Sequence, residues 1–311
     1  MIPTASLYLT LLVPGAPALK TEKPPQDLID LLPEDTAAVL ALDMPKLARH
    51  PVGARIFRGI AGDLADDDLP HPPIEDLAAE CQQVVIAQFG IEARVGDFLF
   101  LFRLREKATV AKAFLARKRK SDNSNVRPIG RYMVYALIDD AWTATMVDER
   151  TMALVLATGD GPQKEQTLEA VYGDRKTRGP SDPVLRKMLA EPWPSDRPAL
   201  LFGAHPKANL SIGLVLTPLG TDGDTFRDLG ADVKSFRGSV ALNKTAQVEV
   251  RVSLKDEDAV RDFVRLLKAK MTSSWLEQMA ESVSIAVEKW DVLIRARLSA
   301  AWEKLFSNQS E

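Results

Sequence analysis

Apolar and polar positions divide this chain into strands of two kinds. Asp97-Phe-Leu-Phe-Leu-Phe-Arg-Leu104 and Ala37-Ala-Val-Leu-Ala-Leu42 are apolar at consecutive positions. That pattern predicts strands covered on both faces. Val248, Val250, Val252 and Leu254 instead alternate with Gln247, Glu249, Arg251 and Ser253, the period of a strand with one buried and one solvated face. Further strands are predicted at 83–89, 132–138, 141–147, 152–157, 199–204, 233–242, 283–288 and 292–298, with hairpin turns at Asn243-Lys-Thr245 and around Asp291. Helical spacing predicts helices at 46–60, 74–80, 106–120, 162–172, 182–190, 256–280 and 299–307. The 256–280 segment carries its apolar stripe on Val260, Phe263, Val264, Leu267 and Met271, continued by Leu276 and Met279, behind Asp256, Glu257 and Asp258 at the start, where acidic residues complement the helix dipole.

The order of elements recurs. A strand ending in Met44-Pro-Lys46 precedes a helix, a hairpin, a helix, further strands and a helix. A strand ending in His205-Pro-Lys207 then precedes an apolar segment, a hairpin, a helix, strands and a helix. This predicts an α+β protein of two similar units, 27–176 and 177–311, each a mostly antiparallel sheet with helices packed on one face. The units would be related by a pseudo-two-fold. The polar stretch 173–181, punctuated by Gly and Pro, is the boundary. Such units can meet edge to edge or face to face, and either arrangement covers edge strands. A groove between them would be the default ligand or partner site.

Residues 1–26 stand apart. Leu7–Val13 is a short apolar run, Ala16-Pro-Ala18 has the small-x-small form of a signal-peptidase site, and a Pro-containing polar stretch, Lys20–Pro25, follows. No Lys or Arg precedes Lys20, so only the amino terminus is positive there. The segment predicts export to the periplasm or cell envelope; an ordinary apolar element in a cytoplasmic protein is the alternative. No stretch approaches the ~20 apolar residues of a spanning helix.

The opening Leu31-Leu-Pro-Glu-Asp-Thr-Ala-Ala-Val-Leu-Ala-Leu-Asp43, with Pro51-Val-Gly53 and a duplicated α+β body behind a signal-like segment, resembles a group of bacterial exported proteins classed as domains of unknown function. The resemblance implies an envelope or extracellular setting and carries over no catalytic residue.

Composition narrows the classes further. Lys and Arg number 40 against 43 Asp and Glu, a net charge of −3, without the basic excess of a dedicated nucleic-acid binder. The densest basic cluster, Arg117-Lys118-Arg119-Lys120, falls at the end of the 106–120 helix, where cations complement the dipole. It is the candidate contact for an anionic partner. Trp193, between Pro192 and Pro194, is a candidate exposed anchor. Trp275, Trp290 and Trp302 fall where core packing accounts for them.

Candidate chemistry is sparse. Cys81 is the one cysteine, so no disulfide can form within the chain; a small core residue is its expected role. His50, His71 and His205 show no metal-ligand spacing, and no nucleophile elbow, dinucleotide fingerprint or phosphate loop occurs. Counting from Asp222, an EF-hand would need Glu where Val233 stands. Asp66-Asp-Asp68 is a run of solvated loop charge. No cofactor and no catalytic residue is predicted. The sequence reads as a non-enzymatic exported protein that binds a protein partner or ligand through its sheet or inter-unit groove. An enzyme with a carboxylate-based site, and a carrier of a lipid or other apolar molecule, remain open alternatives.

Overall fold

The computed structural model describes residues 26–49, 80–89, 97–105, 126–136, 142–157, 159, 161–173, 179–190, 200–204, 232–242, 245–271 and 280–299. Twelve strands among these residues make one sheet. They are β1 (Ala38–Asp43), β2 (Cys81–Phe89), β3 (Asp97–Leu104), β4 (Val126–Ile129), β5 (Tyr132–Ala136), β6 (Trp142–Met146), β7 (Thr151–Leu156), β8 (Leu200–Ala204), β9 (Val233–Leu242), β10 (Ala246–Leu254), β11 (Ala280–Glu288) and β12 (Asp291–Leu298). The described helices are α1 (Gln26–Asp30), α2 (Met44–Arg49), α3 (Pro162–Tyr172), α4 (Pro183–Ala190) and α5 (Glu257–Met271). Every strand pairing is antiparallel. The predicted α+β class, built on antiparallel sheet, is therefore correct.

Across the sheet the order is β11-β12-β10-β9-β8-β1-β2-β3-β7-β6-β5-β4. The two runs of the chain meet at β1 and β8, which pair from Ala38↔Ala204 to Leu42↔Leu200. Outward from this seam the path is alike on both sides: a strand, a hairpin (β2–β3 or β9–β10), the last strand (β7 or β12), then the one before it (β6 or β11). The first half adds β5 and β4 at its outer end.

Consecutive apolar positions in β1, β2 and β3 are explained by cover on both faces. On one face Val39, Ala41, Val85 and Leu99 pack with Leu28 of α1, Leu168 and Tyr172 of α3 and Leu185 of α4. On the other, Leu42, Val84, Phe100 and Phe102 pack with Met44 and Leu47 of α2. This corrects the expectation of helices on one face. Strands apolar on both sides need cover on both, and in the first half the helices divide accordingly.

The second half keeps the one-sided pattern among the described residues. Val250, Val252, Val292 and Ile294 face Val260, Phe263 and Leu267 of α5. The reverse of β10 and β12 is an ion-pair lattice. Arg295 Nε donates to Glu249 at 2.8 Å, and Arg251 reaches Asp291 at 3.2 Å and Glu288 at 3.1 Å. Exposed pairs of this kind contribute little each; they keep that face solvated.

α5 begins where the Asp256 carboxylate accepts a hydrogen bond from the Ala259 amide at 2.9 Å, a cap that satisfies one of the free donors of the first turn. Of the helix expected over 256–280, residues 272–279 lie outside the described residues. It is helical to Met271, and Ala280 already belongs to β11. β4, at Val126–Ile129, is an additional strand that the pattern does not announce. No described helix is long and apolar enough to cross a membrane.

Candidate functional site

The two runs of the chain meet edge to edge, as a seam of paired strands, one of the two arrangements expected. Ala41 of β1 lies between Val85 of β2 and Leu201 of β8, so the backbone at the seam is tied into a ladder on both sides. The exposed features lie elsewhere.

Three large apolar side chains are prominently exposed among the described residues: Met133 (50%), Val287 (52%) and Trp290 (55%). Val287 and Trp290 belong to one place. The hairpin β11–β12 closes through two residues, Lys289 and Trp290, between the paired Glu288 and Asp291. A two-residue loop matches the twist of its strands when at least its first residue takes positive φ. Lys289 does so, with φ 58.

The turn is fastened to the end of β10: the Leu254 amide donates to the Trp290 carbonyl at 2.9 Å. Lys234 Nζ lies 5.1 Å from the centre of the Trp290 ring, within range of a cation–π attraction. The first turns of α5 complete a surface hollow of about 720 Å³, lined by Glu257, Val260, Arg261, Val287, Lys289 and Trp290. Arg261 pairs with Asp258 at 3.1 Å. The hollow thus offers an aromatic and aliphatic floor with charges of both signs around it.

Among the described residues, Cys81, Asp97 and Asp43 are held in structural roles. Cys81 is buried, its thiol 3.3 Å from the Gln83 carbonyl. Burial pushes that thiol from 9.0 up to about 12, against smaller lowering effects from the Gln83 carbonyl contact and Arg105. It is therefore a neutral core residue, as the sequence predicts, and not a nucleophile. Asp97, also buried, accepts the Thr167 hydroxyl across the join between β3 and α3. Asp43 accepts the Lys46 amide at 3.1 Å at the start of α2. Among the described residues no three His, Cys, Asp or Glu converge to hold a metal ion.

Two consequences of burial can be measured. Ellman's reagent should leave Cys81 unmodified in the native protein and label one thiol per chain after denaturation. Rapid native labelling would contradict the burial. Tyr172, buried with its hydroxyl 3.5 Å from the Thr143 carbonyl, is also raised, chiefly by burial. An unfolded chain releases both protons earlier than the folded one, so it binds fewer protons at alkaline pH. Stability should therefore fall as pH rises above about 9, by up to about 1.4 kcal/mol per pH unit per group. Urea midpoints across pH 8–11 check this; a flat profile would contradict it.

Of the residues singled out in the sequence, Arg117, Lys118, Arg119, Lys120 and Trp193 lie outside the described residues, as do the signal-like segment before residue 26, the three histidines and the acidic run at 66–68. Trp290 is a correction. The sequence places it in the core, whereas it stands exposed on a turn. Its signal was the gap between two apolar runs. The turn falls on Lys289-Trp290, one residue before Asp291, and a strand end becomes a tip.

Comparison with known proteins bears on the fold. No family model matches the chain, and no curated protein matches it. Among solved structures similar in fold are two of one protein. One, "Structure of crystal form I of TP0453", has 10% sequence identity over 93% of this chain and 96% of that chain, with a TM-score of 0.53. The other, "Structure of crystal form IV of TP0453", has 12% identity over 91% and 96%, with a TM-score of 0.51.

Proposed function

We propose that this is a non-enzymatic, exported binding protein, and that a protein partner docks in the hollow between the first turns of α5 and the β11–β12 turn. One observation carries the reading: Trp290, on a turn pinned to the sheet, and Val287, near the end of β11, line the same hollow and are each more than half exposed. Contiguous exposed apolar surface marks interaction sites, and tryptophan beside arginine is the usual composition of an interface anchor. The mixed charges of Glu257, Lys289 and Arg261 suit a protein surface better than a ligand of single charge. A turn held by β10 keeps the anchor in place before binding, which lowers the ordering cost of association.

Duplication of an ancestral unit supplies the frame. The recurring path outward from β1 and β8, with those strands antiparallel, is what a copied unit related by a pseudo-two-fold would produce. Export rests on Leu7–Val13 and Ala16-Pro-Ala18. N-terminal sequencing of protein from the native host should find a mature chain beginning after Ala18, and mature material retaining Met1 would contradict export.

The docking site is tested by a photo-crosslinking residue at position 290, with position 133 as an exposed control in the other half. Crosslinking in the native host should give one discrete heterologous adduct from position 290 and none from 133. Trp290→Ala should change stability by less than about 0.5 kcal/mol yet abolish co-purification of the crosslinked partner. Equal patterns from both positions, or no adduct at 290, would refute the site.

A further inference from the structure

The charges around the β11–β12 turn do not cancel. Among the described residues, the acids there are engaged with one exception. Asp232 accepts a hydrogen bond from the Lys255 ammonium, and Asp258 lies 3.1 Å from Arg261. Glu288 and Asp291 both hold Arg251, at 3.1 Å and 3.2 Å. Asp256 accepts the Ala259 amide at the start of α5. The exception is Glu257, in the first turn of α5, where the helix dipole offsets a negative charge. Two cations are left over. Lys234 and Lys289 are exposed, and among the described residues neither meets a carboxylate.

Both spare lysines belong to the Trp290 anchor. Lys234 Nζ stands 5.1 Å from the centre of the ring and donates to the Lys255 carbonyl at 3.4 Å. Lys289 precedes Trp290 in the turn and lines the hollow with it. A ring face and a carbonyl leave an exposed ammonium without a counter-charge. The tryptophan therefore has one uncompensated cation over its face and another beside it, with Val287 and Val260 adjoining in the same hollow. We infer, on the premise of the docking site proposed above, that the partner enters this hollow with an acidic segment. An apolar side chain of that segment rests against Trp290, Val287 and Val260, and carboxylates flanking it reach Lys234 and Lys289. A basic segment would bring like charge to both lysines and find only Glu257 to oppose it. The apolar floor supplies the anchor of the contact; opposite charge at its rim selects the partner and speeds the encounter.

Photo-crosslinking of the full chain from position 290 in the native host tests it, with the attached peptide of the adduct sequenced by mass spectrometry. That peptide should be acidic, with Asp or Glu flanking an apolar residue. Lys234→Gln and Lys289→Gln should each lower the adduct yield about two- to fivefold, the range of an exposed charge contact, and raised salt should lower it as well. Glu257→Gln should raise it, by removing the carboxylate that faces the partner's own. All three substituted side chains are exposed, so the fold should persist. A neutral or basic attached peptide, a yield indifferent to both lysine changes, or a yield that falls with Glu257→Gln would overturn the inference and leave the docking site standing. Absence of any adduct at 290 would remove both.

Discussion

Replacing Ala41 by proline is expected to unfold the protein, or to leave it so weakened that both halves melt together well below the wild-type urea midpoint. Ala41 is wholly buried and sits in the middle of β1, opposite Val85 on one side and Leu201 on the other. Proline removes a ladder donor and places a ring against a neighbouring strand, a change that sheets tolerate only at edges or bulges. The lost ladder bond and the strand distortion are to be set against a total stability of about 5–15 kcal/mol for a typical domain. Because β1 joins the halves, the loss should register in both. Circular dichroism and tryptophan fluorescence during urea unfolding provide the measurement. A variant with a wild-type midpoint would show that β1 is not an interior strand.

Gly238→Val should have the next largest effect. Gly238 of β9 is the register partner of Phe202 on β8. A Cβ there would collide with the Phe202 ring and lie 2.5 Å from the Glu249 carbonyl oxygen of β10. The ring is itself confined, packed 6.1 Å from Phe236. Overpacking of this kind costs about 1–3 kcal/mol, and the backbone contact places Gly238→Val at the upper end. Phe202→Leu in the same chain should recover part of the loss by freeing the space the ring occupies. Full recovery is not expected, because the Glu249 carbonyl stays where it is. A double-mutant cycle by urea denaturation reads the coupling; simple additivity of the two changes would contradict the contact.

The sequence made much of the sheet legible because burial writes itself into period. β10 alternates and proves one-sided, with Val250 against α5 and Glu249 paired with Arg295. β3 does not alternate, and Leu99 and Phe100 enter cores on opposite faces. β4 left no comparable signal: Arg127 and Pro128 occupy a four-residue edge strand that buries only Ile129. The reading of Ala280 as the end of α5 has a similar cause. Helical spacing runs up to Met279 in the sequence, and spacing alone does not reveal that Ala280 opens a strand. The manner in which the halves meet was not readable either. Runs such as Ala37–Leu42 and Ala199–Ala204 would be equally well hidden by face-to-face packing or by edge pairing. Only the register Leu40↔Phe202 decides it. The candidate site was the least legible part, since an exposed tryptophan and a buried one look alike until the turn is placed to the residue.

The seam between β1 and β8 makes the two halves one sheet. Amide hydrogen exchange resolved to Val39–Leu42 and Leu201–Gly203 probes it most directly. A continuous sheet predicts that these amides exchange only through global unfolding, as slowly as those at the centres of β3 and β10. Fast exchange at both strands, while β3 and β10 stay protected, would mean that the halves part from one another, and the single-sheet account would fail.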